Sequence, residues 1–232
     1  MNLPSLYFLS GLLCDEQVWQ PQVKALEPYF RITIPDFSGV DSLSDMADQV
    51  LHCAPDKFAV VGHSMGGRVA LEIINKAPER VTHLVLMSVG AHPVHPEETE
   101  SRMALLAQAE AQGMALFANT WLHLMSGPAI DTDVKLQNIV KDMAARQSTD
   151  EFAAHIAAAA KRENQLLYLP QIKQKVLLMC GEYDEWSPVE QHEAIHQLIP
   201  DAQLKVVPDA GHMLTLENPK AVNQNLLDWL TD

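Results

Sequence analysis

The stretch Phe58-Ala59-Val60-Val61-Gly62-His63-Ser64-Met65-Gly66-Gly67 decides the fold. Its first four residues are apolar and stop at a glycine, the pattern of a strand buried on both faces. Beyond it, Met65, Val69, Ala70, Ile73, Ile74 and Ala77 recur at helical spacing. A G-x-S-x-G therefore lies where a strand turns into a helix. That turn strains the serine's backbone and needs small neighbours, here Gly62 and Gly66, to close. It pushes the Ser64 hydroxyl out at the sheet's edge. There the N–H groups and dipole of a starting helix favour a developing negative charge. A chance glycine-serine turn would lack the flanking strand and amphipathic helix.

The same alternation extends both ways. Leu6 to Leu9, Phe30 to Ile34 and Val81 to Met87 read as strands, as do Lys175 to Cys180 and Leu204 to Val207. Between them, residues 15 to 27 carry Val18, Trp19, Val23 and Leu26 on one helical face. Ser42 or Ser44 can cap a helix bearing Leu43, Met46, Ala47, Val50 and Leu51. Pro188 to Ile199 reads as a helix, and Asn218-Pro219 starts a last one with Val222, Leu226, Trp229 and Leu230. Apolar strands separated by helices imply an α/β fold with a mostly parallel sheet covered on both faces. Residues 97 to 166 break the rhythm: they are rich in alanine, methionine and glutamine, with no strand-like run. Three to five helices are expected there. The division that follows is a core of residues 1–92 and 167–232 with a helical cap at 93–166. The cap is either plain insertion or a lid over a pocket.

The chain has 232 residues, which at roughly 150 per domain suggests one domain with an insertion. Sixteen Lys and Arg against 30 Asp and Glu leave a net charge of −14. Such a surface repels phosphate backbones and anionic headgroups, so neither nucleic acid nor a membrane is an expected partner. Cys14, Cys53 and Cys180 are odd in number and widely spaced, which suggests reduced thiols and a cytoplasmic location. Met1-Asn2-Leu3-Pro4-Ser5 lacks the basic start of a signal peptide, and no apolar run reaches about 18 residues.

A serine hydroxyl at neutral pH needs a base. Of the ten histidines, His212 stands out in Asp209-Ala210-Gly211-His212-Met213, just after a strand and so at the sheet edge that Ser64 occupies. His63 is expected to point away as a structural residue. His92 and His95 could start a metal pair, but no third ligand stands nearby, so neither metal nor cofactor is expected. The base needs a carboxylate to hold its tautomer. Asp184, in Gly181-Glu182-Tyr183-Asp184-Glu185-Trp186-Ser187-Pro188, is the choice over Glu182 and Glu185, which read as solvated. The oxyanion donors would be the N–H groups of Met65 and of Leu12, in Ser10-Gly11-Leu12-Leu13-Cys14.

With these segments together, and Pro35-Asp36-Phe37-Ser38-Gly39 added, the chain resembles the α/β-hydrolase superfamily over nearly its whole length. The resemblance implies Ser64 as nucleophile, Asp184 as acid, His212 as base, and Leu12 and Met65 as oxyanion donors. It also implies a helical cap after Ser88. Two departures stand out. The family's usual His-Gly in the first loop is Ser10-Gly11 here. The chain starts at what looks like the family's third strand, so about six strands are expected instead of eight.

The expected chemistry is hydrolysis of a small or medium carboxylic ester or thioester. Met103, Leu116, Trp121, Leu122 and Met125 of the cap, with Leu12, Trp186 and Met213, would wall the substrate pocket, or else pack the cap's own core. Arg68, four residues after Ser64, resembles the Gly-Gly-Arg of a menaquinone-pathway carbon–oxygen lyase that uses the same triad. It would then meet a substrate carboxylate; otherwise it is a solvated first-turn residue. A non-catalytic binding protein on this fold is the third possibility.

Overall fold

The computed structural model describes residues 3–231. Met1, Asn2 and Asp232 lie outside them, so the start of the stretch read against a signal peptide is not described. Six strands form one sheet in the order β2-β1-β3-β4-β5-β6, with every neighbouring pair parallel. They are β1 (Ser5–Leu9), β2 (Arg31–Thr33), β3 (Phe58–His63), β4 (Val81–Met87), β5 (Lys175–Gly181) and β6 (Gln203–Val207). β3 is buried along its whole length, and β1, β4 and β5 over most of theirs, because helices cover both faces.

Alternation within the strands feeds two cores. On one face Leu6, Phe8, Val61, Val85, Leu177 and Met179 pack with α1 (Gln20–Leu26) and α11 (Pro219–Leu230). On the other, Leu9, Val60, Leu84, Leu86 and Leu178 meet α2 (Leu43–Cys53), α3 (Met65–Lys76) and α9 (Val189–Leu198). Helix starts follow the cap residues: the Ser42 hydroxyl accepts from the Asp45 N–H, and the Asn218 side chain from the Ala221 N–H.

Five helices fill the space between β4 and β5: α4 (Pro96–Gln112), α5 (Met114–Met125), α6 (Pro128–Thr132), α7 (Val134–Arg146) and α8 (Thr149–Ala160). Phe117, Trp121 and Phe152 form their aromatic centre, with ring centroids 5.4 to 6.3 Å apart. That centre is continuous with the first sheet core, so the insertion rests on the sheet assembly as part of one hydrophobic body.

Two local expectations need correction. The helix expected over 15–27 is a 3₁₀ turn at Glu16–Trp19 followed by α1, with Pro21 at the start of α1, where its missing N–H costs nothing. The strand expected over 30–34 shrinks to Arg31–Thr33, because β2 is an edge strand with a partner on one side only. Among the described residues, no helix is long and apolar enough to cross a membrane. All three cysteines are free.

Candidate active site

Ser64 sits between β3 and α3 with φ 55° and ψ −117°. This is a left-handed conformation that costs a non-glycine residue on the order of 1–3 kcal/mol. Gly66 makes the turn possible, since a Cβ there would overlap the backbone carbonyl of Leu9. The turn lifts the Ser64 hydroxyl off the strand ends, and Met65 becomes the first residue of α3. The Met65 N–H belongs to a first turn with no intrahelical acceptor.

His212 lies in the loop after β6, and its Nε2 is 3.0 Å from Ser64 Oγ. Its Nδ1 is 3.0 Å from both carboxylate oxygens of Asp184. Asp184 is buried in the loop after β5 and also accepts from the Trp186 and Ser187 amides at 3.0 and 2.8 Å. Burial alone would raise its pKa. The His212 charge, the His212 hydrogen bond and the Ser187 amide outweigh burial and hold it down at about 2. Glu182 and Glu185 are exposed.

His63 is buried, but it does not point away from the site. Its Nε2 donates to the His212 carbonyl at 2.8 Å, and its ring lies 5.1 Å from the His212 ring. Burial first, then the neighbouring His212, pushes its pKa down to about 3, so it stays neutral. The first loop, with Ser10 in place of the family's histidine, is tied down by the Trp19 indole donating to Ser10 Oγ at 3.1 Å. Gly11 of this loop sits against His63 and Ser64.

A cavity of about 400 Å³ opens over Ser64 and His212, within the usual size range for small-molecule sites. Leu12, Met65, Arg68, Trp121, Trp186 and Met213 all line it. Trp121 and Trp186 meet edge to face at 6.0 Å and, with Met125 and Met213, make its apolar end. Three positions expected in the wall are elsewhere, two of them at the surface: Met103 and Leu116 are 51% and 63% exposed. Leu122 packs into the core of the insertion. Helical spacing marks these residues as apolar but does not say which way a helix turns once packed.

The opposite end of the cavity is cationic. Arg68 is 6% exposed, so it is no solvated first-turn residue. Its Nη1 donates to the His92 carbonyl at 3.1 Å. Burial and the nearby Arg162 lower its pKa to about 9, which leaves it protonated at pH 7. Arg162 and Arg102 both pair with Glu98. Burial would raise the Glu98 pKa, but His92, Arg162 and Arg102 hold it far below the usual carboxylate range. His92 and His95 stack with centroids 5.5 Å apart at this end. Glu98 carries no motif that marks it in the sequence, and 64 residues separate it from Arg162.

The model of the alpha/beta hydrolase fold family matches residues 4–219. The chain belongs to that family. It is 27% identical over 233 residues to the pimeloyl-[acyl-carrier protein] methyl ester esterase of Nitrosomonas europaea, covering 94% of this chain and 92% of that one. A Serratia proteamaculans protein that carries the provisional name carbamate hydrolase is 26% identical, with 98% and 91% covered. Among solved structures, the malate-bound thermophilic esterase of Thermogutta terrifontis superposes with a TM-score of 0.90. It is 26% identical, with 99% of this chain and 90% of that one covered.

Proposed function

We propose that this hydrolase-fold protein is a serine hydrolase that cleaves a carboxylic ester or thioester of a small to medium substrate. The observation that carries the reading is the line from Ser64 Oγ through the His212 ring to Asp184, each gap 3.0 Å. Ser64 Oγ attacks the carbonyl carbon while its proton passes to His212 Nε2. Asp184 fixes the tautomer and stabilises the imidazolium. The Leu12 and Met65 N–H groups hold the oxyanion. His212 then gives the proton to the departing alcohol or thiol, leaving an acyl group on Ser64. Water, deprotonated by His212, releases the acid and restores the serine. Trp121, Trp186 and Met213 hold the apolar part of the substrate, with residues 93–166 as the cap over it.

Arg68 favours a second reading. It is a buried, protonated guanidinium that lines the cavity, and a substrate carboxylate would complete its hydrogen bonding. A carbon–oxygen lyase acting on an acidic substrate would use the same triad. A non-catalytic binding role is disfavoured by the aligned triad, which mere binding does not need.

The test is a panel of p-nitrophenyl esters from acetate to palmitate, with acyl-CoA thioesters alongside, for wild type and Ser64→Ala. A chain-length optimum lost in the variant supports the hydrolase. No turnover on any member, with Ser64 still reactive toward a fluorophosphonate, moves the lyase ahead.

A further inference from the structure

Glu217 is a buried carboxylate with no part in the triad, yet it binds on both sides of one triad member. It lies at the end of a short helix, α10 (Leu214–Glu217), and is 8% exposed. Its Oε1 accepts the Gly211 N–H at 2.9 Å and the Met213 N–H at 3.2 Å. Those two amides flank His212. Its Oε2 faces the backbone of Gly127, between α5 and α6, where a Cβ would overlap both that oxygen and the Gly211 amide. One carboxylate therefore touches the His212 loop and the insertion at the point where the two backbones meet.

We propose that Glu217 is a positioning residue that sets where the His212 ring stands between Ser64 and Asp184. The main chain at His212 is held from two directions. His63 Nε2 donates to its carbonyl, and Glu217 takes the amides before and after it. A 3.0 Å contact to Ser64 and a second to Asp184 leave little room for this loop to shift, because proton transfer depends on hydrogen-bond reach at both ring nitrogens. Without the carboxylate, two buried amides lose their acceptor, and the loop's route to recover them is to move toward water. The inference rests on the proposed role of His212, and it predicts a defect in geometry that can be read without a substrate.

The experiment compares wild type, Glu217→Ala and Glu217→Gln. The first readout is the low-field proton NMR resonance of the His212 Nδ1–H facing Asp184; the second is kcat and KM on the best ester of the panel. Glutamine keeps a carbonyl oxygen for the two amides and alanine does not. The expected result is a shifted or broadened resonance and a kcat lowered 10- to 100-fold in Glu217→Ala. KM should change less than threefold, and Glu217→Gln should recover most of both signals. If Glu217→Ala does not fold, Glu217→Asp replaces it, with a carboxylate one methylene short and the same expected order. An unchanged resonance in the alanine or aspartate variant overturns the proposal, and so does a glutamine variant as impaired as alanine. If wild type hydrolyses nothing, the hydrolase reading fails, and the resonance alone still decides the role of Glu217.

Discussion

His212 Nε2 stands 3.0 Å from Ser64 Oγ although 148 residues separate the two in the chain. One comes from the turn after β3 and the other from the loop after β6, and a parallel sheet delivers both to the same edge. Asp184, after β5, arrives there for the same reason. In a parallel sheet all strands end on one side, so the loops that follow them share a space. The meeting of the three side chains follows from that topology.

If Asp184 orients His212, Asp184→Asn keeps the shape and lets the ring take the wrong tautomer. Turnover should fall about 10⁴-fold. Steady-state kinetics on the best panel substrate checks this, and a loss under tenfold would return the role to Glu182 or Glu185.

Asp184 also predicts a dependence of stability on pH. Its folded pKa, about 2, lies below the ordinary 3.8. Its contribution is therefore full above pH 3.8 and is lost as pH falls toward 2. It amounts to about 2 kcal/mol. Denaturant titrations of wild type and Asp184→Asn at pH 7 and pH 3 should show the gap between them narrowing at the lower pH.

Glu217 has the opposite sign. Burial raises its pKa to about 7, against the pull of the Gly211, Met213, Gly127 and Ile130 amides. Between pH 4.5 and 7 the folded chain keeps a proton that the unfolded chain has released. Stability from this group is full below pH 4.5 and falls as pH rises to 7, by roughly 3 kcal/mol. Glu217→Gln removes the titration. Its stability relative to wild type should therefore rise between pH 5 and pH 8, and a constant difference would contradict the burial argument.

Arg68→Met keeps much of the side chain's bulk and removes the charge. It should lower kcat/KM 10- to 100-fold for esters whose acyl chain ends in a free carboxylate, and less than threefold for neutral esters of the same length. Equal losses on both would show that Arg68 acts through packing.

The fold and the meeting of Ser64, His212 and Asp184 were legible because each rests on a local signal. Ser64 follows an apolar strand and precedes an amphipathic helix, and Asp184 and His212 each follow a strand. Asn218 announces its helix by capping chemistry. The rest depends on tertiary packing. Met103 and Leu116 lie on helices of the insertion whose exposed sides are set by where Phe117, Trp121 and Phe152 dock. His63 bonds the His212 carbonyl and Glu217 the two flanking amides, and neither contact belongs to a capping or turn pattern that a sequence displays. The pairing of Glu98 in α4 with Arg162, just past the end of α8, exists only once those parts of the insertion have packed.

The central claim is that Ser64 is an activated nucleophile. Its most direct test is reaction of the purified protein with a fluorophosphonate, followed by peptide mass spectrometry on wild type, Ser64→Ala and His212→Ala. The expected result is one covalent adduct on Ser64 in wild type, none in Ser64→Ala, and a labelling rate at least 10³-fold lower in His212→Ala. Absence of an adduct in wild type, or labelling that survives Ser64→Ala, would contradict it.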